Sequence, residues 1–128
     1  MSFKSKFTVD GNEHIVLNCS FSMHQEVDET GRPSSVSRGG RIILTIESTD
    51  DTSLFEWMCD SYMRKDGTIT FNKRDEDAKM KELNFTEAYM ISYEEEFDHA
   101  GIGAMKTTFE LSAREISLGN GVHVNEWI

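Results

Sequence analysis

The chain has 128 residues, 38% of them apolar and 28% charged, with a formal net charge of −10. That length suits one domain, residues 1–128, built around one core. No run approaches the roughly 18–20 apolar residues of a membrane helix, and a strongly acidic chain without a lysine or arginine block repels nucleic acid and anionic membrane surfaces.

The first segment, Met1-Ser2-Phe3-Lys4-Ser5-Lys6-Phe7, lacks the apolar stretch of a signal peptide, which predicts a protein that starts in the cytoplasm. It reads instead as a strand, with Phe3, Phe7 and Val9 on one face and Lys4, Lys6 and Thr8 on the other, closed by a tight turn at Asp10-Gly11-Asn12. A long second strand follows, in which Ile15, Leu17, Cys19, Phe21 and Met23 alternate against Val16, Asn18, Ser20, Ser22 and His24.

The alternation stops between Gln25 and Gly40, a polar stretch that holds the only proline. A loop of this length is uncommon in a compact domain unless it has a function or is disordered. Beyond it, Ile42, Leu44 and Ile46 share one face of a third strand. Ser53-x-x-Glu56 has the form of a capping box, which predicts a short helix carrying Leu54, Trp57, Met58 and Tyr62 to about Met63.

Lys65-Asp66-Gly67 is expected to end that helix region, and Thr68 to Phe71 reads as a compact strand closed by the charges of Lys73-Arg74-Asp75-Glu76-Asp77. Leu83, Phe85, Tyr89, Ile91 and Tyr93 alternate in one long strand. Thr107, Phe109, Leu111 and Ala113 alternate in another, before a phase change to Ile116 and Leu118 that a bulge near Arg114 explains. A glycine-bearing loop, Asp98 to Gly103, joins these two strands, and Gly119-Asn120-Gly121 makes the last turn. Many strands with one helix predict a mainly β fold: a small β-barrel or two packed antiparallel sheets, with one flanking α-helix, since an open sheet would leave edges to be covered.

The sequence offers little chemistry. His14 and His24 are ten residues apart on one strand, roughly 33 Å, too far to share a metal, and the metalloprotease, nucleophile-elbow and phosphate-loop motifs are absent. Asp75-Glu76-Asp77 and Glu94-Glu95-Glu96 lack calcium-loop spacing and read as a solvated acidic face. Gly101-x-Gly103 precedes a strand rather than a helix, so it reads as a hairpin loop. Cys19 and Cys59 are too few for a disulfide framework. Phe55, Trp57 and Met58 are expected to pack onto the sheet rather than line a pocket. No catalytic residue, cofactor or metal is expected, which suits an interaction protein; a monomeric barrel binding a small apolar molecule is the alternative.

Several segments in one order carry a resemblance: Leu17-Asn18-Cys19-Ser20, Thr30-Gly31-Arg32-Pro33-Ser34-Ser35-Val36 with Arg38-Gly39-Gly40, and Thr52-Ser53-Leu54-Phe55-Glu56-Trp57-Met58. Lys65 to Phe71, Ala78 to Leu83, Gly119-Asn120-Gly121 and Asn125-Glu126-Trp127 extend it over essentially the whole chain. Together they resemble the Hcp tube protein of type VI secretion, in the TssD branch of Bacteroidota. The resemblance implies a small barrel with one flanking helix that assembles as hexameric rings. The rings stack into an inner tube capped by a spike, surrounded by a contracting sheath and able to carry effector proteins in its lumen, and the subunit is exported without a signal peptide. It implies no catalytic residues. It also gives the long loop a role: Gln25, Glu26, Asp28, Arg32, Pro33, Ser34, Ser35 and Arg38 are expected to touch a neighbouring subunit or the next ring, the arginines pairing with acidic groups and the proline reducing the entropy lost on ordering.

Overall fold

A computed structural model describes residues 5–72, 79–97 (79–80 by backbone only) and 105–125. Phe3, Lys4, the charged run 73–77, Ala78, the loop 98–103 with His99, and Glu126 to Ile128 lie outside the described residues.

Seven strands and one helix follow in the order β1 (Ser5–Val9), β2 (Asn12–Phe21), β3 (Arg41–Glu47), α1 (Ser53–Cys59), β4 (Arg64–Asn72), β5 (Lys79–Phe97), β6 (Met105–Leu118) and β7 (Gly121–Val124). Their sheet order is β3-β2-β1-β4-β5-β6-β7, and β3 also pairs with β6, so six strands close into an antiparallel barrel with β7 added along β6. Closure pairs both edges of the strands that an open sheet would expose. The barrel expectation holds.

Period-two patterning fills the interior. Phe7 and Val9 from β1, Ile42, Leu44 and Ile46 from β3, Ile69 from β4, and Phe109, Leu111 and Ala113 from β6 are all buried. Phe7 lies at the centre, with ring centroids 5.9 Å from Phe85 and 5.3 Å from Phe109. Each of the larger side chains among them contributes about 1.5–3 kcal/mol by leaving water. The turn between β1 and β2 is the expected one: Asp10 and Gly11 have φ of 52° and 77°, and Val9 faces Asn12 across a two-residue connection.

The long strands depart from strict alternation. In β2 the register slips between Val16 and Asn18, so His14, Val16, Cys19 and Phe21 turn toward the core while Leu17 is exposed. A single inserted residue swaps faces, which is why the even run of the sequence misplaces Ile15 and Leu17. The same slip turns His14 inward, whereas His24 is exposed beyond the strand. In β5 the buried positions run Leu83, Phe85, Ala88 and Met90, not Tyr89 and Ile91. The change of face falls at Glu87, whose φ is 50°, and a second slip follows between Met90 and Ser92. The phase change expected near Arg114 is present between Ala113 and Ile116, and it mirrors the one at Glu87 on the partner strand. Glu87 is held there by Arg64 at 3.0 Å and Arg114 at 2.9 Å, and its N–H donates to Asp66 at 2.7 Å.

The helix is shorter than expected and starts differently. Ser53 is the first helical residue rather than the cap. Asp51 accepts both its N–H and its hydroxyl at 2.9 Å, and Thr52 donates its hydroxyl to Glu56 at 2.7 Å, so no Ser53–Glu56 box forms. The helix stops at Cys59. Met63 is nevertheless drawn in, because the buried Trp57 indole donates to its carbonyl at 2.9 Å, while Tyr62 points out at 83% exposure. Phe55 is half-exposed, edge-on to Tyr93 at 5.6 Å, rather than in the core. Lys65-Asp66-Gly67 belongs to β4, not to a helix end. Gly67 suits this strand position because a Cβ there would sit 2.4 Å from the Phe85 ring and 2.7 Å from the Thr8 carbonyl.

Candidate assembly surface

The polar stretch 25–40 is a two-armed extension rather than a shapeless loop. Ladder-like bonds join its arms: His24 and Arg38 exchange N–H to carbonyl bonds at 2.9 and 2.7 Å, and Val27 bridges to Pro33. Asp28 N–H donates to the Arg32 carbonyl at 2.8 Å, and Ser34 N–H to the Glu26 carbonyl at 2.8 Å. Side chains supply the other ties. Gln25 donates to the Ser35 carbonyl at 2.9 Å and accepts from the Ser37 hydroxyl at 3.4 Å, and Glu26 N–H donates to the Ser35 hydroxyl at 3.0 Å.

At the tip, Asp28 accepts from the Thr30 hydroxyl at 2.7 Å and from the Thr30 and Arg32 amides at 2.9 and 3.0 Å; Gly31, at φ 86°, permits the reversal. These bonds, the Thr30 hydroxyl foremost, hold the Asp28 carboxyl below its usual range.

Apart from Ser35, every residue from Ser22 to Arg38 is exposed, including Val27 and Val36. A ribbon ordered by its own hydrogen bonds yet left exposed is suited to contact a second molecule. Among the described residues neither Arg32 nor Arg38 has a carboxylate within ion-pair distance, whereas Glu26 has His24 at 3.7 Å. All eight residues expected at the contact therefore lie on one projecting element: Gln25, Glu26, Asp28, Ser34 and Ser35 build it, Pro33 braces Val27, and Arg32 and Arg38 have side chains left to offer.

Sequence reasoning missed the anchor of this element. Asn125, just past β7, donates its amide to the carbonyls of Gly39 and Ala113, both at 3.0 Å, and Gly40, at φ 93°, accepts from Ala113 N–H at 2.8 Å. The contact joins residues 86 positions apart, so no local pattern could show it.

Among the described residues no group of three His, Cys, Asp or Glu is placed to hold a metal, and no helix is long and apolar enough to cross a membrane. Cys19 and Cys59 are free thiols, and burial pushes Cys19 up to about 11. An open apolar groove of about 280 Å³ lies beside β7 between Phe21, Met23, Leu118 and Val122.

His14 is buried against Phe7, and neither ring nitrogen has a hydrogen-bond partner among the described residues; Asp51 Oδ2 is 3.7 Å away. Burial holds its pKa below the ordinary histidine value, with the Asp51 carboxylate partly opposing. The unfolded chain then binds the proton more readily, so stability present above about pH 6.5 is lost as the pH falls below it. Melting temperatures measured from pH 7.5 to 5 should fall for the wild type and fall less for His14→Phe. Parallel slopes would assign the loss elsewhere. Asp51 and Asp28, whose carboxyls lie below their usual range, lose their contribution only near pH 4 and below.

Known proteins share this fold. The sequence matches the family described as "TssD: Hemolysin coregulated protein Hcp (TssD)" over residues 1–128. The structure of Hcp1 from Flavobacterium johnsoniae is 51% identical, covering 96% of this chain and 100% of that one, with a TM-score of 0.89. Hcp1 from Salmonella typhimurium shares the fold at 16% identity, covering 96% and 92% of the two chains, with a TM-score of 0.74. A chain of the sheath–tube complex of an extracellular contractile injection system, PVC, shares it more distantly, at 18% identity over 91% and 88%, with a TM-score of 0.53. No curated protein sequence matches the chain significantly. The whole-length family match and the 51% identical structure together show that the chain belongs to the Hcp (TssD) family of secretion-system tube proteins.

Proposed function

We propose that this protein is the subunit of a type VI secretion inner tube, with residues 1–128 acting as one tube domain that closes into hexameric rings. The rings stack, the spike caps the stack, the sheath expels it, and effector proteins travel in its lumen. The subunit is cytoplasmic before firing and leaves through the apparatus itself. It acts by self-association and catalyses nothing. The family match over the full chain supports the tube. The carrying observation for assembly is the tethered, uncovered extension, whose residues Gln25, Glu26, Asp28, Arg32, Pro33, Ser34, Ser35 and Arg38 form the contact with a neighbouring copy.

Native mass spectrometry of the purified protein should show six-subunit rings, and electron microscopy should show stacks at higher protein concentration. Stacking should strengthen with salt, because screening weakens repulsion between copies that each carry −10. Deleting residues 27–36, while keeping the His24–Arg38 closure, should leave the barrel's melting temperature within a few degrees but raise the concentration needed for stacking by about tenfold or more. Unchanged stacking after this deletion removes the extension from the assembly.

The groove beside β7 favours one other reading, a monomeric barrel binding a small apolar molecule there. A monomer at every concentration and salt would select it.

A further inference from the structure

The end of the barrel opposite the extension carries exposed apolar side chains. β3 runs from Arg41, where the extension rejoins the barrel, to Glu47, about 20 Å away at ~3.3 Å per residue. Glu47 pairs with Lys106, and one further row, Phe97–Met105, ends the described β5–β6 ribbon, where Ser48 N–H donates to the Met105 carbonyl at 3.1 Å. Along the inward face of that ribbon the rows are Tyr93–Phe109, Glu95–Thr107 and Phe97–Met105. Phe109 is in the core, Tyr93 is covered by Phe55 of α1, and Thr107 bonds to Ser48 at 2.6 Å. The side chains of the last row stay accessible: Phe97 is 62% and Met105 39% exposed.

Glu95 shares this face with Phe97, and Glu94 and Glu96 alternate onto the other; none of the three has a cation within ion-pair distance among the described residues, and Glu95 accepts from the Tyr93 hydroxyl at 3.1 Å. A fitting occupant carries an exposed aliphatic side chain next to an unpaired cation. The extension of another copy does so, with Val27 at 61% exposure and Arg32 two positions from the Asp28–Thr30 turn.

We propose, resting on the assembly reading above, that Val27 and Arg32 of one copy seat on Phe97, Met105 and Glu95 of the next. Donor and receiver occupy opposite ends of each subunit, so the contact is head-to-tail and repeats without limit along a stack, which an isologous contact cannot do. Arg32 supplies the register and the aliphatic pair the burial.

Two variants in a Cys59→Ser background test it. Full-length protein carrying both Val27→Cys and Met105→Cys, oxidised under conditions where stacks are visible by microscopy, should give a ladder of cross-linked dimers, trimers and higher species on a non-reducing gel. Either substitution alone should give none. Separately, Arg32→Glu should raise the half-assembly concentration about tenfold or more, and adding Glu95→Arg in the same chain should recover most of that loss. Visible stacks without a ladder, or an Arg32→Glu protein that stacks like the wild type, overturn the receiving surface and leave the tube reading standing. Absence of rings and stacks in the wild type overturns both.

Discussion

Trp57→Ala is expected to lower the unfolding free energy by about 3–5 kcal/mol, a large part of the stability of a chain this size. Trp57 is fully buried, the largest such side chain of the core, and it is presented by a helix of only seven residues. Its removal leaves a cavity in the core, strips the Met63 carbonyl of its indole donor at 2.9 Å, and takes away the ring beneath the Lys65 ammonium, 5.6 Å from its centroid. Phe55→Ala, two positions away on the same helix, is expected to cost about 1 kcal/mol or less, since that ring is half in water and meets Tyr93 edge-on. Urea unfolding of both variants, with m-values checked against the wild type, separates the two. Equal costs would mean that the helix lies on the barrel without plugging it.

The contrast within one helix marks what local sequence carries. Strands β1 and β3 and the first half of β6 were legible because every second residue is apolar and one face is buried throughout. Such patterns state their own register. In β2 and β5 the apolar residues alternate just as evenly, yet Leu17 and Ile91 are exposed, because slips at Val16–Asn18 and Met90–Ser92 depend on neighbouring strands that local pattern does not contain. Gly67 was misread for a related reason: in isolation Lys65-Asp66-Gly67 has turn chemistry, but the ring of Phe85 occupies the space a side chain would need.

The extension was found by its polarity and its proline, and the family resemblance gave it a purpose. Its internal order was not legible, since Gln25, Asp28 and Ser35 hold it by side-chain bonds that have no period. Phe97 and Met105 were invisible for the opposite reason. They follow the core on the same face, beyond the Glu95–Thr107 row, and only their place one row past Glu47 leaves them exposed.

Gly40→Val is expected to damage both fold and assembly, by about 3 kcal/mol in stability and by loss of stacking, because a β-branched residue at φ 93° is strained and its Cβ would lie 2.7 Å from the Ala113 carbonyl and 2.5 Å from the Asn125 amide. The backbone here cannot yield cheaply: the Gly40 carbonyl accepts from Ala113 N–H at 2.8 Å, and Asn125 N–H donates to the Arg114 carbonyl at 2.6 Å. Asn125→Ala is the gentler version. It removes the amide bonds to Gly39 and Ala113, costs about 1–2 kcal/mol, and leaves the barrel closed. Both should release the base of the extension, which hydrogen exchange reads directly as faster exchange of the His24 and Arg38 amides, the two that close it. If those amides stay protected in both variants, the arms close on their own bonds, and the junction of Gly40 with Asn125 serves only the barrel. If they open and stacking weakens in step, the same asparagine that ties Gly39 to Ala113 also aims the element through which one copy meets the next.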